Sequence, residues 1–240
     1  MQAVRLHEDG LRLEELPRPE PGPGEVLVRV HAAAITRDEL TWPADRLPAV
    51  PSYELSGVTA DGDEVFGLTP FDRDGVAAEY TRVPRNVLAP KPPNLSHVEA
   101  AALPMGGLSA WQALVVHGGL RAGERVCVTG VRGGVGHLAV QLVESLGATL
   151  VGEDEPCDLL FDTVGRITGN AGRVVTIAEE APGATFFIVE PDGAQLGELT
   201  SRGLRPEIDS TFPLAGFAAA FERLAEHGKH GKVVFDVASA

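Results

Sequence analysis

One stretch constrains the architecture more than any other. The short apolar run Arg125-Val-Cys-Val-Thr enters a glycine-rich segment, Gly130-Val-Arg-Gly-Gly-Val-Gly. Beyond it Val135, Leu138, Ala139, Leu142, Val143 and Leu146 recur at the spacing of one helical face, and Gly147 can cap that helix. A second strand, Thr149 to Val151, follows. Strand, turn, amphipathic helix and strand make a βαβ unit, which belongs in a parallel sheet. Glycines at the mouth of a helix also expose backbone N–H groups where the helix dipole favours negative charge, a natural seat for a pyrophosphate. Gly133, Gly134 and Gly136 fit the last positions of the dinucleotide fingerprint, while Val131 stands at its first. The competing reading is a tight strand-to-helix turn with no ligand.

The sequence after this unit is unusual. An acid about twenty residues past the glycines binds adenosine ribose hydroxyls in such folds, and Glu153 stands there, which favours NADH. Yet Glu153-Asp-Glu-Pro runs almost directly into the strand-like Asp158-Leu-Leu-Phe-Asp-Thr-Val-Gly. No room is left for the helix, strand and helix that normally intervene, so the adenosine side is predicted to be absent or rebuilt. Three consecutive acids also repel a 2′-phosphate, which makes NADPH the less comfortable cofactor. Further short strands are expected over Cys157–Thr163, Arg173–Ala178 and Ala184–Val189, a helix from Phe217 to near Gly228, and a closing strand Lys232–Val237.

The chain before the glycine turn has a different texture. Ala3–Leu6 and Val26–His31 read as strands, with Val26, Val28 and Val30 on one face. Pro48, Pro51, Pro70, Pro84, Pro90, Pro92 and Pro93 exclude long helices from this region. Ser96-His-Val-Glu is a capping box that opens an alanine-rich helix, which Pro104 is expected to stop.

Several function classes fall away on charge and cysteine usage. A formal net charge of −14 over 240 residues repels nucleic acid and anionic lipid. The N-terminal run has no apolar signal-like core and no window is long and apolar enough to span a bilayer, so a cytoplasmic location is expected and the Asn94-Leu95-Ser96 sequon is read as chance. Cys127 and Cys157 form neither a metal knuckle nor a disulfide framework, and the seven histidines fall in no His-Glu-x-x-His pattern, so no metal is expected.

Val28-Arg-Val-His-Ala-Ala-Ala-Ile-Thr-Arg-Asp-Glu-Leu, Pro51-Ser-Tyr-Glu-Leu-Ser-Gly, Glu64-Val-Phe-Gly-Leu, Ala100-Ala-Ala-Leu-Pro-Met-Gly-Gly-Leu-Ser-Ala-Trp, Gly130 to Gly136, Asp162-Thr-Val-Gly and Gly231-Lys-Val-Val occur in that order. Together they resemble the zinc-independent medium-chain dehydrogenase/reductase superfamily, of quinone oxidoreductase and enoyl reductase type, with a truncated Rossmann lobe. The resemblance implies an α/β protein: a GroES-like β-barrel lobe over residues 1–95, a shortened Rossmann-type parallel-sheet lobe over 96–203, and a return to the first lobe over 204–240. Zinc enzymes of the superfamily carry Cys at the position of Thr36 and His at that of Tyr53, so the metal is expected to be lost while Glu54 remains.

What such a protein does follows from the resemblance. Relatives without zinc pass hydride from NADH or NADPH to a quinone or an activated double bond while a hydroxyl or water supplies the proton. Thr36, Ser109, Thr163, Val164 and Phe187 to Val189 are implied near the nicotinamide, with Gly133, Gly134, Val135 and Gly136 on the pyrophosphate and Arg132, at a small-residue position, beside them. Tyr53 and Asp38 are the proton-transfer candidates, and Glu54 reads more readily as a structural carboxylate. Trp42, Phe71, Met105 and Trp111 are candidates to line an apolar cleft between the lobes, although aromatics beside prolines are often simply core.

Three departures weigh against full function: a β-hairpin shrunk to Ala60-Asp-Gly-Asp, a helix after Asp162-Thr-Val-Gly replaced by Arg166-Ile-Thr-Gly-Asn-Ala-Gly, and Arg132 itself. The leading expectation is a reductase acting on an apolar conjugated carbonyl. The alternative is a cofactor-independent isomerase, cyclase or lyase that uses Tyr53, Asp38 and Glu54 as acid and base, and a third reading is a non-catalytic scaffold subunit. A homodimer is expected by analogy alone.

Overall fold

The computed structural model describes residues 1–36, 39–42, 46–167, 171–228 and 230–238. Two units separate within it: Met1–Pro104 with Pro191–Gly197 and Glu207–Ala240, and Met105–Glu190 with Glu198–Pro206.

The first unit opens with an antiparallel hairpin, β1 (Gln2–His7) and β2 (Gly10–Glu15), and continues into the long strand β3 (Glu25–Ile35). Val26, Val28 and Val30 are buried while Arg29 is exposed, which is the alternation of a half-buried strand. The register then shifts between Val30 and Ala32, and beyond the shift all of Ala32–Ile35 is buried. β4 (Glu54–Thr59) pairs along β3, followed by β5 (Glu64–Leu68), β6 (Tyr80–Pro84) and β7 (Leu88–Pro90). The shrunken β4–β5 turn closes on itself: Gly62 N–H donates to the Thr59 carbonyl at 3.0 Å, with Gly62 at φ +92°, a conformation glycine adopts without a Cβ clash.

Helix α1 (His97–Ala101) starts at the expected capping box, with Ser96 Oγ accepting from Glu99 N–H and the Glu99 side chain reaching back. Ala101 and Ala102 then lie on Ala32 and Ala34, small side chains that let helix and sheet approach closely.

The chain beyond α1 corrects the reading of Pro104. That residue opens helix α2 (Pro104–Trp111), because a first-turn proline has no hydrogen bond to lose, and the helix runs on into wider π-type turns over Gln112–His117. Strand β8 (Arg125–Val128) leads through the glycine bend to α3 (Gly136–Ser145) and then β9 (Thr149–Val151). Leu138, Ala139, Leu142 and Val143 are all fully buried, as their spacing requires. β10 (Cys157–Asp162), β11 (Ala171–Thr176) and β12 (Thr185–Phe186) complete an all-parallel sheet in the order β12-β11-β10-β8-β9. The last strand is much shorter than its apolar sequence suggested, since it pairs with β11 at only Val175–Thr185 and Thr176–Phe186.

Helix α4 (Gly193–Ser201) leads back towards the segment that belongs to the first unit: β13 (Ile208–Phe212), α5 (Phe217–Ala225) and β14 (Lys232–Asp236). β14 pairs antiparallel with β3 and parallel with β13. Arg223 on α5 forks onto Asp209 of β13 at 2.7 and 2.6 Å and holds that carboxyl down at about 2, fixing the helix on the sheet. No helix among the described residues is long and apolar enough to cross a membrane.

Candidate cofactor and active site

In the second unit β8 sits between β9 and β10, so the chain leaves it towards opposite sides of the sheet. Ligands of open α/β sheets bind at the carboxyl ends of the strands at such a switch point. The glycine bend springs from that end of β8. Gly133 N–H closes the turn on the Gly130 carbonyl at 2.9 Å, and the His137 ring Nδ1 lies 2.8 Å from the Gly133 carbonyl. The N–H groups of Gly134, Val135 and Gly136 meet no acceptor among the described residues. Val131, Arg132 and Gly133 are exposed, Gly134 and Val135 half-buried and Gly136 buried. Arg132 has no carboxylate partner among the described residues.

Two residues hold this bend. Gly106 of α2 backs against it so closely that a Cβ there would lie 2.3 Å from the Gly134 carbonyl oxygen. Asp162, fully buried at the end of β10, accepts from Thr129 Oγ1 (2.7 Å), Thr176 Oγ1 (3.0 Å) and the N–H groups of Val164 (3.2 Å), Gly165 (3.1 Å) and Arg166 (2.9 Å). Burial works to raise its pKa, but these donors outweigh it and hold the carboxyl below the usual range. The loop that Asp162 orders carries Thr163, whose Oγ1 donates to the Thr129 carbonyl at 2.7 Å, and Val164, which is exposed.

The other residues expected at the cofactor lie as follows. Ser109 is buried in α2. Phe187 and Val189 are also buried, Phe187 against the His117 ring at 4.5 Å, and Ile188 between them is 68% exposed. Glu153 is engaged by Arg166 at 3.3 Å. Met105 is buried and Trp111 lies under the Arg202 guanidinium at 5.3 Å, both in the second unit, whereas Trp42 and Phe71 belong to the first.

In the first unit the structure joins Thr36, Glu54 and a residue given no role by the sequence, Lys232. The Lys232 ammonium contacts a Glu54 carboxylate oxygen and donates to Thr36 Oγ1 at 2.9 Å, and Thr36 Oγ1 donates to Glu54 at 3.3 Å. Glu39, also not singled out, is buried beside them and accepts from Thr36 N–H (2.9 Å) and Ser52 N–H (3.1 Å). Burial pushes its pKa up to about 8 against the lowering influence of the Thr36 N–H and the Lys232 charge. Ser52 has φ +67°, a strained conformation for a non-glycine residue, and its Oγ donates to the Ala34 carbonyl at 2.8 Å. Glu39 and Ala34 together fix the kink from which Tyr53 projects.

Tyr53 stacks on Trp42 at 6.0 Å and meets Phe71 edge-on at 5.1 Å. Glu39, Tyr53, Trp42 and Phe71 line a cavity of about 30 Å³, room for a single water, so the two aromatics pack on Tyr53 more than they frame a substrate space. Burial, then the nearby Glu39 charge, raises the Tyr53 phenol above its ordinary pKa, and its hydroxyl has no partner among the described residues. Asp38 lies outside the described residues.

Residues 148–235 match a family model described as zinc-binding dehydrogenase. A 2-methylene-furan-3-one reductase of Solanum lycopersicum is 30% identical, over 94% of this chain and 75% of that protein. The chain belongs to the medium-chain dehydrogenase/reductase superfamily, of quinone oxidoreductase type. An NADPH-dependent alkenal/one oxidoreductase, chloroplastic, of Arabidopsis thaliana is likewise 30% identical, over 94% and 76%. The quinone oxidoreductase of Thermus thermophilus, solved also in complex with NADPH, is 28% identical with a TM-score of 0.84 over 99% of this chain and 100% of that one. The alignment to the tomato reductase extends over 293 positions, more than this chain's 240 residues, so this member lacks internal segments that its relative has.

The zinc of the family model's description does not fit the residues present. Thr36 and Tyr53 are poor zinc donors, and the cation already seated on Glu54 is the ammonium of Lys232. Among the described residues no three His, Cys, Asp or Glu side chains converge as metal ligands.

The sequence missed Lys232, Glu39, Gly106 and the ordering role of Asp162. Asp162 carried a signal, a single acid closing an apolar strand. Lys232 and Glu39 carried none, since a lone charge in a strand or loop is ordinarily solvated.

Proposed function

We propose that this superfamily member is a zinc-independent, nicotinamide-dependent reductase of quinone or enoyl reductase type acting on an apolar conjugated carbonyl compound. The observation that carries the reading is the glycine bend at the switch point of a parallel sheet, where the N–H groups of Gly134, Val135 and Gly136 meet no acceptor among the described residues. Those amides and Arg132 would hold the cofactor's diphosphate, with Thr163 and Val164 beside it. The bound cofactor supplies a hydride.

The chain's own residues supply the rest. Tyr53, whose hydroxyl has no partner among the described residues, is the proton donor in this reading, and the burial that raises its pKa means it gives up that proton only as the substrate takes it. Thr36 directs its own proton to Glu54, so it and Lys232 act as a fixed positive and polar group near the kink at Ser52 rather than as an acid. Glu39 is a positioning residue that holds the Ser52 backbone and thereby aims Tyr53.

Titrating the protein with NADH and NADPH while following nicotinamide fluorescence and melting temperature tests this. Binding stabilises by mass action, about 2.7 kcal/mol at a hundredfold excess over Kd. A flat response to both cofactors removes the redox reading and leaves acid–base chemistry at Tyr53 as the alternative.

A further inference from the structure

Resting on the reading above, we infer that this protein recognises only the nicotinamide–ribose–phosphate half of its cofactor, so that reduced nicotinamide mononucleotide binds as tightly as NADH or NADPH. The juxtaposition behind it is a glycine bend able to take a phosphate beside a sheet edge that offers adenosine no wall.

In a dinucleotide-binding sheet of order 3-2-1-4-5-6 the third strand flanks the second, and an acid at the end of the second takes the adenosine ribose. Here β9 corresponds to that second strand, and it pairs with β8 alone. No described residue lies beyond it in the sheet, and Leu150 on this edge is exposed. The chain passes from β9 to β10 through Gly152-Glu-Asp-Glu-Pro only, where parallel strands ordinarily need about a dozen residues or more of crossover.

That short link is tied back to Arg125 at the start of β8. Glu155 accepts from Gly152 N–H at 3.1 Å and from the Arg125 side chain at 2.9 Å, and Asp158 accepts from Arg125 N–H at 2.8 Å. It therefore does not fold outward into a wall for an adenine ring.

The ribose acceptor is committed as well. Glu153 bonds Arg166, and the pair neutralises itself. A ribose hydroxyl would have to share Glu153 with Arg166, and a 2′-phosphate would have to draw Arg166 away from Glu153. On the phosphate side the bend amides and the Arg132 guanidinium meet no acceptor among the described residues. A guanidinium and helix-mouth amides bind a terminal phosphate as readily as a bridging one.

The test measures Kd for reduced nicotinamide mononucleotide, NADH and NADPH on the wild-type protein by nicotinamide fluorescence and calorimetry. The three constants are expected to agree within about fivefold. Arg132→Ala should weaken all three by a common factor, because each meets the same guanidinium. An advantage of either dinucleotide beyond about fivefold overturns the inference and leaves the proposed function standing. Failure of all three to bind removes the proposed function and this inference with it.

Discussion

Lys232, at the start of the last strand, is the counter-ion of Glu54: both side chains are buried, 7% and 0% exposed, and the ammonium touches the carboxylate. Two charges removed from water are tolerable only together. Lys232→Met is therefore expected to destabilise the fold by about 3–5 kcal/mol, and adding Glu54→Gln should recover much of that loss. Urea unfolding of both variants checks it. A single variant as stable as wild type would mean the pair contributes nothing.

Glu39 makes stability depend on pH in a particular sense. Its folded pKa, about 8, lies above the 4.5 of an ordinary glutamate, so between these values the folded state binds more protons than the unfolded one. Stability from this group is complete below 4.5 and falls as pH rises through 8, by up to roughly 5 kcal/mol. Glu39→Gln should abolish that slope. Melting temperatures of the two proteins across this range should converge or cross as pH increases, and parallel profiles would contradict the assignment.

Asp162 gathers five donors into one buried carboxylate. Asp162→Asn replaces an acceptor oxygen with a donating amide against those N–H and hydroxyl groups, which costs on the order of 2–3 kcal/mol. The loop from Thr163 to Arg166 should loosen, visible as faster amide hydrogen exchange there and weaker nicotinamide binding.

Gly106→Ala places a Cβ against the Gly134 carbonyl at 2.3 Å, backbone against backbone, which neither partner relieves by rotating a side chain. The bend must shift. Nicotinamide affinity is expected to drop at least tenfold with a melting temperature only modestly lowered, since an overpacked site of this kind destabilises by about 1–3 kcal/mol. Unchanged affinity would show that the bend does not hold the cofactor.

Tyr53→Phe keeps the ring that Trp42 and Phe71 pack on and removes only the hydroxyl. Turnover should fall by about a hundredfold or more with cofactor binding intact. Equal rates would move the proton donor elsewhere.

Sequence alone determined the local elements whose causes are local. The glycine bend, the buried face of α3, the capping box at Ser96 and the alternating valines of β3 follow from backbone sterics, helical period and strand pleat, and each stands where its residues put it. The missing adenosine segment was equally legible, because five residues cannot hold a helix and a strand. Tertiary structure decided what depends on partners distant in the chain. Lys232 meets Glu54 only because β14 pairs with β3, which in turn pairs with β4. Glu39 is held only because Ser52, thirteen residues further on, brings its N–H to the carboxylate. Trp42 and Phe71 close on Tyr53, leaving room for one water, for the same reason: burial and electrostatic pairing are properties of the assembled core, and no window of sequence contains them.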